Sequence, residues 1–395
     1  MPRSRFFAAL AAFFVALAPA HAQIATSAEH AILMDAASGQ VLWAKDAFTP
    51  MPPASMSKLM TLELVFQRLK DGRLKLTDTL PVSELAWRTG GSKGFVRVGD
   101  HLTIDDLLQR IIVASGNDAC VVVAEGIGGT VDGFVDMMNR RAKELGLNNS
   151  HFVNPDGLPD PPGQLMSSYD LAKLARHLIR DYPQYYHYFG ERSYTTTDQG
   201  KQISQPNRNT VLEKLPGADG LKTGYTDAAG FSITASAVQG GERLILVLGG
   251  LRYPDLDKFA DAKREWLAEV RRGDEAARIL ALAFREFRSY RLFKPGEIVG
   301  QVPVTGGSRP TVAATAGAVN VTMQVDSHDA MKVTFRYFPG LKAPVAQGQR
   351  VGTLAISAPD FPGLDVPVVA AESVPQANIV WRLYMAARHW FSGRH

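Results

Sequence analysis

The chain has 395 residues, 46% of them hydrophobic, with 43 basic against 39 acidic side chains and a formal net charge of +4. That length buries a sizeable core and suits more than one domain, while the near-neutral balance and the lack of a long basic run give no case for nucleic acid. A single cysteine, Cys120, excludes an intramolecular disulfide, and no Cys/His pattern supports a metal site.

In chain order, residues 1–22 read first as an export signal: Arg3 and Arg5, an apolar stretch from Phe6 to Leu17, and a small-residue cleavage site at Ala20-His21-Ala22. The apolar stretch is short for a membrane span of about 20 residues. Cleavage there starts the mature chain near Gln23 and lowers the net charge from +4 to +2, since Arg3 and Arg5 are lost. Next comes a hairpin, Ile32-Leu33-Met34 and Val41 to Ala44, joined through Ala37-Ser38-Gly39-Gln40. Pro50-Met51-Pro52-Pro53 is a rigid lead-in to a helical period from Ser55 to about Leu69. Further helices are predicted over Ile104 to Val113, Asp118 to Glu125, Val131 to Leu145 and Ser168 to Arg180, with Gly146 as a C-cap. Strand patterns follow at Phe231 to Val238 and Leu244 to Leu248, and a helix over Lys258 to Phe287. Sheet, helices, sheet and a closing helix predict an α/β (α+β) domain over residues 23–287, its end segments forming one antiparallel sheet flanked by helices. Cys120, inside the apolar run Ala119 to Ala124, reads as a small buried hydrophobe.

Short strand-like runs from Val299 to Ile356, separated by Gly306-Gly307, Pro339-Gly340 and Gln347-Gly348, predict a small all-β domain over residues 288–374. It holds no cluster that suggests chemistry and reads as a spacer. Residues 375–395 form a tail. On a helix, Val380, Leu383, Tyr384, Ala387, Trp390 and Phe391 share one face, with Arg382 and His389 opposite. It is too short and too charged to span a bilayer, and its aromatic edge beside arginines suits a helix lying on the membrane surface.

Three stretches carry the chemistry. Ser55-Met56-Ser57-Lys58 sets a hydroxyl and an amine one helical turn apart, on one face. A serine at a helix start has an unpaired N–H where an oxyanion needs a donor, and Lys58 can strip the hydroxyl only when uncharged. Burial or a second ammonium, with Lys222 the candidate, would lower its proton affinity. A serine–lysine pair of this spacing occurs by chance roughly once in a chain of average composition, so alone it carries nothing. Ser115-Gly116-Asn117 follows an apolar run; Ser115 could relay a proton between Lys58 and a leaving amine, and Asn117 could hold a substrate carbonyl. An ordinary helix cap is the plainer reading of that stretch. Lys222-Thr223-Gly224 opens a strand: the lysine and threonine can address a carboxylate, and Gly224 leaves room for a ligand backbone at the strand edge.

Together, and in this order, the three stretches match the serine–lysine, serine–asparagine and lysine–threonine–glycine set of penicillin-binding proteins and class A β-lactamases. With Gly146 to Phe152, Asn207-Arg208-Asn209 and Asp219 to Gly224 added, the whole chain resembles the low-molecular-mass, type-5 penicillin-binding proteins, D-alanyl-D-alanine carboxypeptidases of peptidase family S11. The resemblance implies a serine β-lactamase/DD-peptidase-like catalytic fold and no cofactor. It implies that Ser55 is acylated, Lys58 is its base, Ser115 relays the proton and Asn117 orients the peptide. Lys222 supplies positive potential, Thr223 with Arg208 grips the terminal carboxylate, and the N–H groups of Ser55 and Tyr225 form the oxyanion hole beside Gly224. Arg252 is a weaker candidate for the carboxylate. The implied partners are the peptidoglycan stem pentapeptide, β-lactams as covalent inhibitors, and the membrane surface through the tail. The implied location is the periplasmic face of the cytoplasmic membrane. A class A-like β-lactamase, or a binding protein that acylates without turnover, are the alternatives. Glu144-Leu145-Gly146-Leu147-Asn148 mimics the β-lactamase deacylation motif, but its place at a helix end marks it as coincidence.

Overall fold

A computed structural model describes residues 24–378; the export signal and the tail helix expected from Val380 lie outside these. Within residues 24–286 the elements that position the site are β1 (His30–Asp35), β2 (Val41–Lys45), α1 (Lys58–Lys70), α2 (Ile104–Ile112), α3 (Asn117–Gly128), α4 (Val131–Glu144), α5 (Ser168–Asp181), β3 (Ala218–Thr226), β4 (Gly230–Gln239), β5 (Glu242–Leu251) and α6 (Asp261–Glu286). Chain ends and middle meet as the sequence pattern predicts. One antiparallel sheet runs in the order β2-β1-β5-β4-β3, with β1 paired to β5 through Ile32–Val247 and Leu33–Leu246.

The alternation of side chains along these strands divides the interior in two. Ile32 and Met34 of β1 and Ile245 and Val247 of β5 face the helical middle, where they join Leu59, Phe66, Ile111, Val122 and Leu174. Ala31 and Leu33, with Leu244, Leu246 and Leu248, face the other way onto Ala276, Ile279, Leu280 and Ala283 of α6. Both faces of the sheet are covered, which is why these strands read as unbroken apolar runs. The strand β3 ends the sheet, so one of its edges is left for another chain.

Helix α1 is the hub of the helical middle. Its Glu63 is fully buried and accepts from Arg141 Nε of α4 at 2.7 Å and from Tyr182 Oη at 3.0 Å, with His177 Nε2 of α5 at 3.2 Å. These contacts lock α4 and α5 to the helix that begins beside Ser55.

Residues 287–374 enclose a third core around Val302, Val321, Leu354 and Val368. Phe287–Phe293 pairs with Val319–Gln324, and a five-stranded sheet runs Ile298–Pro303, Thr311–Thr315, Phe361–Ala370, Arg350–Ala358, Lys332–Tyr337. Two of these strands escape the sequence pattern. Phe287–Phe293 continues directly from α6, and Phe361–Ala370 is interrupted by Pro362, Gly363 and Pro367. Gln40 joins this region to the sheet, donating to Thr322 O at 2.6 Å and accepting from Thr322 N at 3.2 Å. Among the described residues no helix is long and apolar enough to cross a membrane.

Removing Glu63 takes away the buried acceptor that Arg141 Nε and Tyr182 Oη share, while Arg141 keeps, among the described residues, only the exposed Glu144. Glu63→Ala is therefore expected to destabilise the protein by about 3 kcal/mol, read as a lower thermal midpoint; an unmoved midpoint would show that the buried pair does not hold the helices together.

Candidate active site

The nucleophile candidate sits on a strained corner. Pro53 leads into a tight 3-10 turn, Ala54–Ser57, which runs straight into α1. Ala54 has φ +46°, a left-handed conformation that a residue with a side chain adopts at a cost. Ser55 and Lys58 follow on one face, and Lys58 Nζ reaches back to Ser55 Oγ at 2.6 Å.

Lys58 is completely buried and has two further partners, Asn117 Oδ1 at 2.7 Å and the backbone carbonyl of Asp156 at 2.6 Å. Asn117 is the first residue of α3, whose N-cap is Gly116 with no side-chain cap. The capping reading of Ser115-Gly116-Asn117 therefore fails. Asn117 turns its amide inward, donating one Nδ2 hydrogen to Gly90 O at 2.8 Å. Ser115, at φ +59°, is the second left-handed residue of the site, and its Oγ accepts from Lys222 Nζ at 2.9 Å. The sequence reading linked Ser115 to Lys58; the structure bonds it to Lys222 instead.

Burial holds the Lys58 amine below its ordinary value, with Arg208 acting in the same direction and Cys120, Asp156 and Asp118 opposing. Burial and the neighbouring Lys58 charge push Lys222 further down. The Cys120 thiol, buried behind them, is pushed up to about 12 and stays a neutral hydrophobe.

Above these amines opens a cleft of about 300 Å³ lined by Ser55, Ser115, Asn117, Arg208, Thr223, Gly224 and Tyr225. The edge strand β3 supplies one wall. A Cβ on Gly224 would stand 2.8 Å from Pro53 O and 3.3 Å from Ser55 N. The close approach that requires glycine here is thus by the Ser55 turn itself, where the sequence suggested a ligand backbone. The Tyr225 ring stacks on Phe231 at 4.1 Å, and its hydroxyl donates to Asp227 at 2.7 Å.

Arg208 lines the cleft and makes no ion pair among the described residues. Arg252 does not join it: it pairs with Glu29 at 3.4 Å and bonds the carbonyls of Asp227 and Ala228. Glu144 is also remote, the last residue of α4, paired with Arg141 at 2.9 Å. Several lining residues escaped the sequence reading. Arg272 of α6 is buried to 2% exposure, donates to Arg208 O at 3.1 Å, and is lowered by burial to about 10. Asp156, Glu265 and Glu269 also face the cleft. Only the Asn154-Pro155-Asp156-Gly157 turn carried a signal, as loop punctuation.

The D-alanyl-D-alanine carboxypeptidase family matches residues 17–251, and the C-terminal domain of penicillin-binding protein 5 matches residues 287–376. The chain belongs to the D-alanyl-D-alanine carboxypeptidase family. It is 32% identical to carboxypeptidase DacF of Bacillus subtilis over 93% of this chain and 91% of that one, and 35% identical to DacC of Escherichia coli over 91% and 88%. The crystal structure of penicillin-binding protein 5 from Haemophilus influenzae superposes with a TM-score of 0.77 at 31% identity, covering 88% of this chain and 98% of that one. The chain therefore shares its overall fold with that structure.

Because the Ser55 turn leaves no room at β3, Gly224→Ala is expected to displace Ser55 from the cleft. Acylation by a fluorescent penicillin should slow by about 100-fold with far-UV circular dichroism unchanged; a wild-type rate would show that the contact tolerates a side chain.

Proposed function

We propose that Ser55 is the acylated nucleophile of this carboxypeptidase, Lys58 its base, and a D-alanyl-D-alanine stem peptide of peptidoglycan its substrate. The observation that carries this reading is the set of partners around Lys58 Nζ: two carbonyl oxygens, which only accept, and one hydroxyl, which alone has a hydrogen to give. A neutral Lys58 keeps its two N–H bonds to Asn117 Oδ1 and Asp156 O. Its lone pair then faces Ser55 Oγ, and burial favours that neutral form.

The steps follow. Lys58 takes the Ser55 proton as Oγ attacks the carbonyl of the penultimate D-alanine. The oxyanion rests on the N–H groups of Ser55, at the start of its helix, and Tyr225, on the edge strand. The C–N bond breaks as the departing amine receives, by way of Ser115 held by Lys222, the proton that Lys58 took from Ser55, which returns Lys58 to its neutral form. D-alanine leaves, and water, activated by Lys58, hydrolyses the ester and restores Ser55. The second Nδ2 hydrogen of Asn117 is available to a peptide carbonyl. Arg208, Arg272 and the Thr223 hydroxyl receive the terminal carboxylate.

A β-lactam is attacked by the same hydroxyl and held as an ester. Neither Glu144 nor its helix lines the cleft, so the residue of the deacylation-like motif does not hasten the loss of that ester, which disfavours the β-lactamase alternative. Four segments complete the reading: an export signal over 1–22, the catalytic part over 23–287, an all-β spacer over 288–374 and a tail over 375–395. The tail lies on the outer face of the cytoplasmic membrane, where the enzyme trims donors for cross-linking.

The test is release of D-alanine from a D-Ala-D-Ala peptide, coupled to covalent labelling by a fluorescent penicillin. Ser55→Ala is expected to abolish both; label retained on that variant would remove Ser55 from the role, and labelling of the wild type without D-alanine release would favour a binding protein. For the tail, deletion of residues 379–395 should free the protein from membranes while soluble-peptide activity persists. A truncated protein that still sediments with vesicles refutes the anchor.

A further inference from the structure

The groups that face Lys58 come from four elements. Asp118 and Cys120 belong to α3, Lys222 to β3, Arg208 to the segment before β3, and Asp156 to the turn after α4. Of the two carboxylates, Asp118 is committed. It accepts from Gly94 N at 2.6 Å, Ala119 N at 2.9 Å and Val96 N at 3.4 Å, holding the loop that walls the cleft. Asp156 differs. It is buried to 3% exposure, lines the cleft, and makes no ion pair among the described residues. Its Oδ1 accepts from Leu158 N at 2.9 Å.

The Asp156 turn cannot swing away. Asn154 Oδ1 accepts from Gly157 N at 2.7 Å, and Thr61 Oγ1 of α1 donates to Pro155 O at 2.6 Å. Gly157 sits at φ +88°, and a Cβ there would lie 2.0 Å from Ala54 O. The turn is therefore pressed onto the Ser55 corner, while its own backbone carbonyl grips Lys58. Burial raises the Asp156 carboxyl above its ordinary value, opposed by Lys58 and the Leu158 N–H, and while ionised it acts on Lys58 across this low-dielectric interior.

We propose that Asp156 is a positioning residue for acylation, its fixed carboxylate setting, through Lys58, the lower pH limit at which Ser55 reacts. This rests on the roles assigned above to Ser55 and Lys58. The sign follows from the charges. Anionic Asp156 favours the ammonium form of Lys58, opposing burial and Arg208. Reaction needs the neutral amine, so the rate falls as pH drops through the Lys58 titration. Removing the negative charge makes Lys58 easier to deprotonate and moves that fall to lower pH.

The experiment is the rate of acylation by a fluorescent penicillin as a function of pH. Asp156→Asn keeps an oxygen for Leu158 N and loses the charge; its acid limb should move down by about one pH unit. One unit below the wild-type midpoint it should then react about fivefold faster than wild type at that same pH, relative to each protein's own plateau. Asp156→Glu, which keeps the charge, should retain the wild-type limb. A limb in Asp156→Asn that coincides with wild type, or moves up, overturns the proposal. Should that variant not fold, Asp156→Ser, whose hydroxyl can accept from Leu158 N, is read in its place. If neither neutral variant folds while Asp156→Glu does, the carboxylate is structural and the proposal falls. Label that survives Ser55→Ala sinks the underlying assignment instead, whatever Asp156 does.

Discussion

An amine sealed from water with two carbonyls and one hydroxyl around it is the constraint on which this molecule depends. The three partners of Lys58 come from residues 55, 117 and 156, so no local segment can assemble them. Helix α1 gives the serine and the lysine together, one turn apart. The first residue of α3 must then arrive with its amide oxygen inward, and the turn after α4 with a carbonyl. Each ammonium hydrogen has an acceptor, which offsets part of the desolvation that burying a lysine costs.

Holding that geometry requires backbone where side chains are unwelcome. Ala54 and Ser115 sit in left-handed conformations on either side of the cleft, and Gly157 and Gly224 press their bare Cα atoms against the Ser55 corner. Such strain persists only where the surroundings over-determine it. The surroundings here are the apolar helical middle and the buried Glu63 contacts that tie α1 to α4 and α5. Stability gathered far from the cleft therefore keeps Ser55 and Lys58 in register with β3.

Much of this was legible in the residues. The period of 3.6 marks α1, α2, α4 and α5 to within a residue or two at most ends, and two-faced burial of the sheet explains the apolar runs of β1 and β5. The three short stretches named Ser55, Lys58, Ser115, Asn117, Lys222 and Thr223, all of which lie in or under one cleft. What escaped was set by distant partners. Arg272 looks like any basic residue of a long surface helix until α6 folds it beneath Phe231 and Arg208. Asp156 looks like turn punctuation until its carbonyl meets Lys58. Pro362 and Gly363 hide a strand that lies inside a sheet, and the polar hairpin Ser193–Asp198 with Lys201–Pro206 has too little apolar alternation to signal itself.

The distribution of carboxylates around Ser55 also bears on how long an ester there survives. A base that activates water for deacylation must be unpaired and aimed at the ester. Glu144 is neither, being bonded to Arg141 at the far end of α4. Asp118 has its oxygens filled by backbone N–H groups. Asp156 has its Oδ1 taken by Leu158 N. In the proposed mechanism Lys58 serves both half-reactions, with Glu265 and Glu269 of α6 on the cleft wall. A small leaving group such as D-alanine vacates the cleft after the first, letting water approach along the path it left. A β-lactam keeps its expelled nitrogen tethered to the acyl group, so the same water meets an occupied cleft. On the proposed roles of Ser55 and Lys58, that tether lengthens the life of the drug ester with no change in the chemistry at Ser55.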